Sequence, residues 1–278
     1  MYINAHIPVQ SGSSADVHQG VFDGQVVAMK CIRGTLTERD YRYFIQEAEI
    51  TARVKHPHCI SLLAISEDRF SPFLLTEWLD GGSVFDMLGR CDPPPPHVRL
   101  RIACEIASGV EYLHESHITH GDLKSLNVML SADLVAKIVD LGSSIQSCLT
   151  GAGDGGENIR GTLNWLAPEL VSDGSKPNFS TDMYALGVIM WELATCQAPF
   201  HGLSRARLLA CRNRGDRPEI PEHPTPGFPS AYFELVQRCW SQNPDSRPCA
   251  SDVRLALSSM SQATVVQALL KVIAAPLM

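Results

Sequence analysis

The sequence lacks the residue patterns that mark structural zinc sites, nucleic-acid binding and membrane spans. Its nine cysteines include no Cys-x-x-Cys pair, so a zinc site is not expected. No long basic tract is present and the formal net charge is -7, so we expect no binding to nucleic acid. The longest largely apolar stretch, residues 184–193, is too short to cross a bilayer, and membrane insertion is not expected.

The chain shows no internal repeat and does not open with a signal peptide. The odd number of cysteines indicates reduced thiols in an intracellular compartment, and we expect the cytoplasm. A composition of 45% hydrophobic and 19% charged residues is sufficient to bury a core. The length of 278 residues suits one large domain or two lobes that share a cleft. The sequence gives no indication of oligomeric state.

Strand and turn signals dominate the first 79 residues. Extended structure is predicted over 7–32, 60–66 and 72–78. One helix is predicted over 37–55, because apolar residues recur there at roughly helical spacing and His56-Pro57 ends the pattern. The predicted apolar face consists of Phe44, Ile45, Ala48 and Ala52.

Helical signals dominate the remainder. A helix over 97–117 is predicted to turn six residues inward: Leu100, Ala103, Ile106, Ala107, Val110 and Leu113. Further helices are predicted over 181–196, 203–213, 230–240 and 250–260, with a Gly- and Ser-rich loop over 143–164. A separate apolar helix is predicted over 262–278.

A strand-rich first part followed by a helix-rich remainder predicts an α+β fold with two lobes. We place the N-lobe at 1–79, the C-lobe at 80–262 and a helical extension at 263–278.

Several short motifs occur in a fixed order along the chain. They are Val27-Ala28-Met29-Lys30, then Glu47, then His120-Gly121-Asp122-Leu123-Lys124-Ser125-Leu126-Asn127, then Asp140-Leu141-Gly142, then Ala167-Pro168-Glu169. Each has an ordinary explanation when it is taken alone: Lys30 as a solvated lysine, Glu47 as an exposed helix residue, Asp122 as a helix cap. Their joint occurrence, in this order and at compatible spacing, is specific.

This order of motifs resembles that of the eukaryotic protein kinases over nearly the whole chain. The Asp-Leu-Lys-Ser-x-Asn core is similar to the tyrosine-kinase-like group, which contains the Raf and mixed-lineage kinases and mostly phosphorylates Ser and Thr. The resemblance implies a two-lobed kinase fold, in which a small antiparallel β N-lobe with one helix sits on a larger α-helical C-lobe.

The resemblance also implies the roles of the reacting groups. Phosphoryl transfer needs charge neutralisation and in-line positioning more than covalent help. Lys30 would hold the α- and β-phosphates of ATP and Glu47 would pair with it, since Glu49 points to another side of the helix. Asp122 and Lys124 complete the catalytic set: Asp122 would orient the substrate hydroxyl and Lys124 would lie near the transferring phosphate. The Mg²⁺ ligands would be Asn127 and Asp140.

The same resemblance places the ATP site. Gly12 would belong to the phosphate loop, Thr76 to the gatekeeper position, and the residues Glu77, Trp78 and Leu79 to the hinge. Val17 and Ala28 would cover one face of the adenine and Met129 the other, although such apolar residues are more often plain core. Structural roles are implied for His120, for Asp182, and for an ion pair between Glu169 and Arg247.

The sequence departs from the family at its phosphate loop. The spacing Gly-x-Gly-x-x-Gly-x-Val falls on Gln10, Gly12, Ala15 and Val17, so that only the middle glycine is present. Glycine allows backbone N–H groups to approach phosphate closely. We therefore expect weaker ATP binding than a full motif would give, with Asp16 adding a negative charge nearby.

Two other departures concern regulation. Gly121 stands where the family has an arginine that grips a phosphorylated loop residue. We therefore expect little dependence of activity on phosphorylation of Ser143, Ser144, Ser147 or Thr150. Leu141 follows Asp140 in place of phenylalanine, and the hydroxyl of Thr51 nearby is expected to loosen the helix that carries Glu47.

Three functions remain open from the sequence. The first is a Ser/Thr protein kinase acting on protein substrates, which Lys124 favours over a tyrosine kinase. The second is a pseudokinase that binds nucleotide or serves as a scaffold, favoured by Gln10, Ala15 and Gly121. The third is a small-molecule phosphotransferase, which the protein-substrate motifs Gly161-Thr162 and Ala167-Pro168-Glu169 make the weakest of the three.

Overall fold

The first part of the chain folds into an antiparallel sheet with one helix. The computed structural model describes residues 2–3, 10–11, 15–34, 36–66, 68, 71–141, 163–172, 175–221 and 225–273; of residues 2–3, 10–11, 172 and 263–273 it describes the backbone only. The strands are β1 (Tyr2–Ile3), β2 (Gln10–Ser11), β3 (Ala15–Phe22), β4 (Gln25–Ile32), β5 (Leu62–Ser66) and β6 (Phe73–Glu77). Their order is β1-β3-β4-β6-β5, and β2 pairs with β3.

The hairpin between β3 and β4 sets the register of the lobe. Its two turn residues, Asp23 and Gly24, both have positive φ, at 50° and 77°. Such a turn matches the twist of the flanking strands. The turn therefore fixes Val17 opposite Lys30, and β4 continues the ladder to β6.

Helix α1 (Glu38–Arg53) begins at a capping box, in which Thr37 accepts from Asp40 N and Asp40 accepts from Thr37 N. Its buried face contains Phe44, Ala48 and Thr51, and Ala52 is exposed, so the predicted inward position of Ala52 is wrong. At about 100° per residue, Thr51 lies about 20° from the direction of Phe44, whereas Ala52 lies about 80° from it.

The second part of the chain is mainly helical. Its helices are α2 (Val84–Leu88), α3 (Pro96–Glu115), α4 (Pro168–Ser172), α5 (Phe179–Thr195), α6 (Arg205–Arg214), α7 (Ser230–Cys239) and α8 (Ala250–Ile273). Short 3₁₀ helices lie at Ser125–Asn127 and Pro244–Ser246. Three short strands, β7 (Gly82–Ser83), β8 (Val128–Leu130) and β9 (Ala136–Ile138), form a second antiparallel sheet.

Helix α5 lies at the centre of the larger lobe, with every residue from Thr181 to Ala194 buried. A helix that is buried all round needs neighbours on every side, and α3, α7 and the 3₁₀ helix Pro244–Ser246 contact it. All six residues predicted to face inward on α3 are at most 1% exposed.

The helix α8 runs without a break to Ile273, so the separate helix predicted over 262–278 is wrong in its start. Residues 250–273 contain neither glycine nor proline, and nothing in the local sequence ends the helix near 261. The predicted loop over 143–164 lies outside the described residues except for its last two positions, 163 and 164. In the described part of the chain, no helix is both long enough and apolar enough to cross a membrane.

The two lobes meet behind a short connection over 78–81. Ile60 N donates to Ile138 O at 2.9 Å and Ile138 N donates to His58 O at 2.9 Å, which ties the first lobe to β9. An ion pair between Lys137 Nζ and Glu77 Oε1, at 2.8 Å, adds to this contact. The predicted α+β fold, with a small antiparallel N-lobe and a helical C-lobe, is confirmed.

Candidate active site

The alternation of side chains along β4 separates core residues from cleft residues. Val27 and Met29 are 1% and 5% exposed and pack with Leu75 in the outer core of the sheet. Because successive side chains of a strand point to opposite faces, Ala28 and Lys30 lie on the other face. Both are only half-buried.

The strand register brings the expected nucleotide-facing residues of the N-lobe to that same face. Val17 is directly opposite Lys30, and Ala28 is directly opposite Thr76. Residues directly opposite one another in an antiparallel pair share a face. Gly12, which is predicted to belong to the phosphate loop, lies outside the described residues.

Lys30 connects the N-lobe to the Asp140-Leu141-Gly142 motif through its contact with Asp140. Its Nζ lies 2.6 Å from Glu47 Oε1 on α1 and 2.8 Å from Asp140 Oδ1. Burial lowers the pKa of Lys30, but the charges of Asp140 and Glu47 outweigh burial and raise the pKa above its usual value. Glu49, the competing acid on α1, is exposed, so the structure brings Glu47 rather than Glu49 to the lysine.

Burial raises the pKa of Asp140 and the charge and hydrogen bond of Lys30 lower it, with the net result below the usual value. Asp140 is therefore held as a carboxylate. Its φ of 63° is in the left-handed region, which a non-glycine residue adopts only where its surroundings require it. The hydroxyl of Thr51 donates to Glu47 O at 2.7 Å within α1. The expected loosening of this helix stays a prediction.

Asp182 of α5 holds the loop that carries Asp122 through hydrogen bonds to the loop backbone. Asp182, which is 2% exposed, accepts from His120 N at 2.8 Å and from Gly121 N at 2.9 Å. The buried His120 ring lies 3.0 Å from Val139 O through its Nε2. Gly121 has a φ of 78°, where a side chain would be strained.

Asp122, Lys124 and Asn127 form one contact group on this loop. Lys124 Nζ lies 2.5 Å from Asp122 Oδ2. Asn127 Nδ2 donates to Asp122 O at 2.9 Å and to Asp122 Oδ2 at 3.3 Å. Because the amide nitrogen makes both bonds, the amide oxygen of Asn127 is the atom that this residue can offer to a cation.

A backbone bond joins the two groups of side chains. Val139 N donates to Asn127 O at 3.0 Å, and Val139 immediately precedes Asp140. Lys30, Glu47 and Asp140 thus lie beside Asp122, Lys124 and Asn127, although they are distant along the chain. The six form one cluster at the junction of the lobes.

The chemistry of this donor set fits Mg²⁺ and a nucleotide. The described residues contain no group of three or more His, Cys, Asp or Glu side chains arranged to hold a metal ion. Mg²⁺ does not need such a cage, since it is usually bound by one or two carboxylates together with phosphate and water. Asp140 and Asn127 provide one carboxylate and one amide oxygen, and Lys30 provides a cation for phosphate.

The hinge residues border the same junction. Leu79 is 8% exposed, and Met129 on β8 is half-buried between the fully buried Val128 and Leu130. Glu77 directs its side chain to Lys137 and also accepts from Ser61 N at 3.0 Å. The side chain of Glu77 therefore contributes to the contact between the lobes.

Sequence reasoning missed a partner of the phosphate-loop strand. Arg33 forms a two-point ion pair with Asp16, with Nε at 2.7 Å from Oδ2 and Nη2 at 2.5 Å from Oδ1. The negative charge expected from Asp16 is therefore neutralised. The register would have shown this pair, since Asp16 is opposite Cys31 and Arg33 is its diagonal neighbour.

Sequence reasoning also missed Glu192, the one acid in the second half of α5. It is 1% exposed, and it accepts from Ser125 Oγ at 2.8 Å and from Trp165 Nε1 at 2.7 Å. Burial raises the pKa of Glu192 to about 8. The contact joins the loop that carries Asp122 to the segment 163–167, and no sequence motif marks it.

Arg247 and Glu169 form the expected ion pair beneath that segment. Arg247 Nη1 lies 2.6 Å from Glu169 Oε1 and Nη2 lies 2.9 Å from Oε2. Arg247 also donates to Ser180 O and Ser241 O. The side chain of Arg247 has no exposed surface, so its charge is fully compensated by these acceptors.

Comparison with known proteins gives the family. Residues 3–257 match the family model described as protein tyrosine and serine/threonine kinase. The serine/threonine/tyrosine-protein kinase HT1 of Arabidopsis thaliana is 30% identical, over 87% of this chain and 62% of its own. A Dictyostelium discoideum protein named as a probable serine/threonine-protein kinase is 33% identical, over 87% of this chain and 26% of its own.

A tyrosine kinase is similar as well: the tyrosine-protein kinase transforming protein Abl of Abelson murine leukemia virus is 28% identical, over 90% of this chain and 33% of its own. The chain spans less than two thirds of the length of each of these relatives. Since the family model covers most of the chain and the fold has the two expected lobes, the chain belongs to the eukaryotic protein kinase superfamily.

Proposed function

We propose that the chain transfers the γ-phosphate of MgATP to serine or threonine hydroxyls of protein substrates. The observation that carries this proposal is the position of Lys30 between Glu47 and Asp140, next to Asp122 and Asn127. Each group that phosphoryl transfer requires in this family is present in that cluster.

The roles follow from the charges. Lys30, oriented by Glu47, would hold the α- and β-phosphates. Asp140 and the amide oxygen of Asn127 would ligate Mg²⁺, which when bound supplies positive charge against the phosphate oxygens. The N-lobe over 1–79 would thus bind the nucleotide together with the C-lobe over 80–262.

Asp122 would accept the hydrogen bond of the substrate hydroxyl and take up its proton. Lys124, already 2.5 Å from Asp122, would place its positive charge next to the transferring phosphate. The adenine would lie between Val17 and Ala28 on one side and Met129 on the other, bonded by the backbone of the hinge.

Ser/Thr specificity and membership of the tyrosine-kinase-like group are the finer part of the proposal. Lys124 supports both, since it lies beside the catalytic aspartate in the pattern of that group. The relatives' names include serine/threonine, tyrosine and combined specificities, so the nature of the phosphorylated residue has to be measured.

A pseudokinase is the second candidate. Ala15 supports it, because it is only 7% exposed and paired with Ile32 where the family has a glycine near phosphate. A protein of this kind would bind nucleotide weakly, or serve only as a scaffold, and would transfer no phosphate.

The test is phosphate incorporation from labelled MgATP into a mixed peptide library, followed by phosphoamino-acid analysis. Asp122→Asn removes the proposed base, and Asp133→Asn changes an exposed aspartate on a turn as the matched control. We expect Asp122→Asn to lose at least about a hundredfold in rate, with Asp133→Asn unchanged and label on Ser and Thr.

Equal label with wild type and Asp122→Asn would indicate a contaminant kinase. The absence of label in all three proteins would reject the enzyme and favour the scaffold. Label confined to tyrosine would leave a kinase but reject the proposed specificity.

A further inference from the structure

Helix α6 contributes a buried arginine that contacts the main chain of residues 163–164. Arg212 is 0% exposed and is the largest fully buried side chain in the described residues. Its Nη2 donates to Leu163 O at 3.1 Å and also to Asn164 O. Its Nη1 donates to Tyr184 OH. One side chain therefore holds two consecutive carbonyl groups of the main chain.

The partners of Arg212 are neutral. They are a phenol and two carbonyl groups, and its guanidinium carbon lies 5.1 Å from the ring centre of Tyr184 and 4.8 Å from that of Phe200. Its Nε has no partner among the described residues. Burial lowers the pKa of Arg212, and the positive charge of Arg217 lowers it further.

Such an arrangement is costly for stability. A buried charge loses its hydration, and replacement of buried ionic groups by apolar side chains of similar volume is often neutral or stabilising. The packing of Arg212 between two aromatic rings could be provided by an apolar side chain. What an apolar side chain cannot provide is the planar set of donors that reaches Leu163 O and Asn164 O together.

The segment that Arg212 holds borders the proposed catalytic residue. Asp122, Trp165 and Leu166 line the same small cavity. Other contacts fix side chains of the segment, as when Asn164 Nδ2 donates to Pro199 O at 3.0 Å. Arg212 differs from them because it fixes the path of the main chain beside Asp122.

We propose that Arg212 is a positioning residue that holds residues 163–165 in the conformation that receives the acceptor peptide. This inference rests on the proposed function, because it assigns to that site the support of its peptide-binding edge. Arg212 does not touch Lys30, Asp140 or the hinge, so its effect is confined to the peptide and does not extend to the nucleotide.

The experiment compares wild type with Arg212→Met, Arg212→Lys and the control Arg214→Met. Arg214 lies two residues along the same helix, is exposed, and pairs with Asp216 at 2.7 Å. Four quantities are measured for each protein: the melting temperature, the KM for peptide, the KM for ATP, and the hydrogen-exchange rates of the amides of residues 163–167.

We expect Arg212→Met to melt within a few degrees of wild type, because relief of the buried charge offsets the loss of the bonds to Leu163 O, Asn164 O and Tyr184 OH. We also expect its peptide KM to rise about tenfold and its exchange over 163–167 to be about tenfold faster, with the KM for ATP within about twofold of wild type. Arg212→Lys, which reaches one carbonyl group at a time, should lie between the two. Arg214→Met should match wild type in all four.

A melting temperature of Arg212→Met well below that of wild type would make Arg212 a residue of general stability and overturn the inference. Unchanged exchange over 163–167 would also overturn it. Should wild type phosphorylate no peptide, the proposed function fails by itself, and the exchange rates decide whether Arg212 holds the segment.

Discussion

Trp165 and Glu192 are joined by a 2.7 Å hydrogen bond from the indole N–H to a carboxyl oxygen in the interior of the C-lobe. The other oxygen of Glu192 accepts from Ser125, which belongs to the same loop as Asp122. A single side chain of α5 thereby connects the loop of the reacting groups to the segment beside it. The protonation of this carboxyl group affects stability and can be measured.

Glu192→Gln should flatten the dependence of stability on pH. The pKa of Glu192 is about 8 in the folded protein, against an ordinary value of 4.5. Between these values the folded state keeps a proton that the unfolded state releases, so the free energy of unfolding falls as pH rises, by at most about 1.4 kcal/mol per pH unit. Glutamine is neutral throughout and can still accept from Trp165 and donate to Ser125.

Urea unfolding of wild type and Glu192→Gln at pH 6 and pH 8 measures this effect. We expect Glu192→Gln to be the more stable protein at pH 8, by roughly 1–3 kcal/mol. Identical pH dependence in the two proteins would show that Glu192 is ionised in the fold.

Arg247→Ala should cost far more stability than Arg254→Ala. Arg247 is fully buried with Glu169, and removing one partner of a buried pair leaves an uncompensated charge at a cost of about 3–5 kcal/mol. Arg254 pairs with Glu111 at the surface, with a third of its side chain exposed, and water screens that pair. Chemical denaturation of both variants is the measurement, and equal losses would contradict the expectation.

Glycine substitutions in the phosphate loop should tighten ATP binding. Gln10→Gly combined with Ala15→Gly restores the glycines that allow backbone N–H groups to approach phosphate. We expect the Kd for MgATP to fall about threefold to tenfold, which corresponds to about 0.7–1.4 kcal/mol. The control is Gln25→Gly, at an exposed position at the start of β4, at the opposite end of the β3–β4 hairpin from Ala15. An unchanged Kd in calorimetric titration would count against the prediction.

Treatment with a phosphatase should leave most of the activity in place. Gly121 occupies the position from which an arginine would grip a phosphorylated loop residue, and its N–H is already bonded to Asp182. The candidate phosphorylation sites, Ser143, Ser144, Ser147 and Thr150, lie outside the described residues. We expect at least about half of the rate to survive, since no charge-assisted bond from this position is lost. Loss of nearly all activity would identify another cationic group as the phosphate receptor.

The sequence was sufficient for the elements whose residues repeat at a fixed period. Helix α3 turns all six predicted residues inward, because its apolar spacing follows the helical period without interruption. The buried face of α1 near its C-terminal end was not predicted correctly, because Thr51 is buried and Ala52 is exposed. At these two positions the angle of the side chain around the helix axis decides burial more than its polarity does.

Two of the buried charged residues, Arg212 and Glu192, could not have been predicted from sequence. Arg212 belongs to a helix in which half of the ten residues are polar or charged, and the rings of Tyr184 and Phe200 that pack against it lie outside this helix. Glu192 interrupts an apolar helix, and its partners Ser125 and Trp165 come from two other segments. Such sites arise from packing between segments that are distant in sequence, and a local sequence pattern does not predict that packing.

The pair between Glu77 and Lys137 has a mechanical consequence. Glu77 is the last residue of β6 in the N-lobe, and Lys137 lies on β9 in the small sheet of the C-lobe. Lys137 Nζ is 2.8 Å from Glu77 Oε1. A motion that separates Glu77 from Lys137 has to lengthen this bond against its electrostatic attraction. The ion pair is therefore one of the contacts that resist separation of the two lobes, and added salt weakens its attraction.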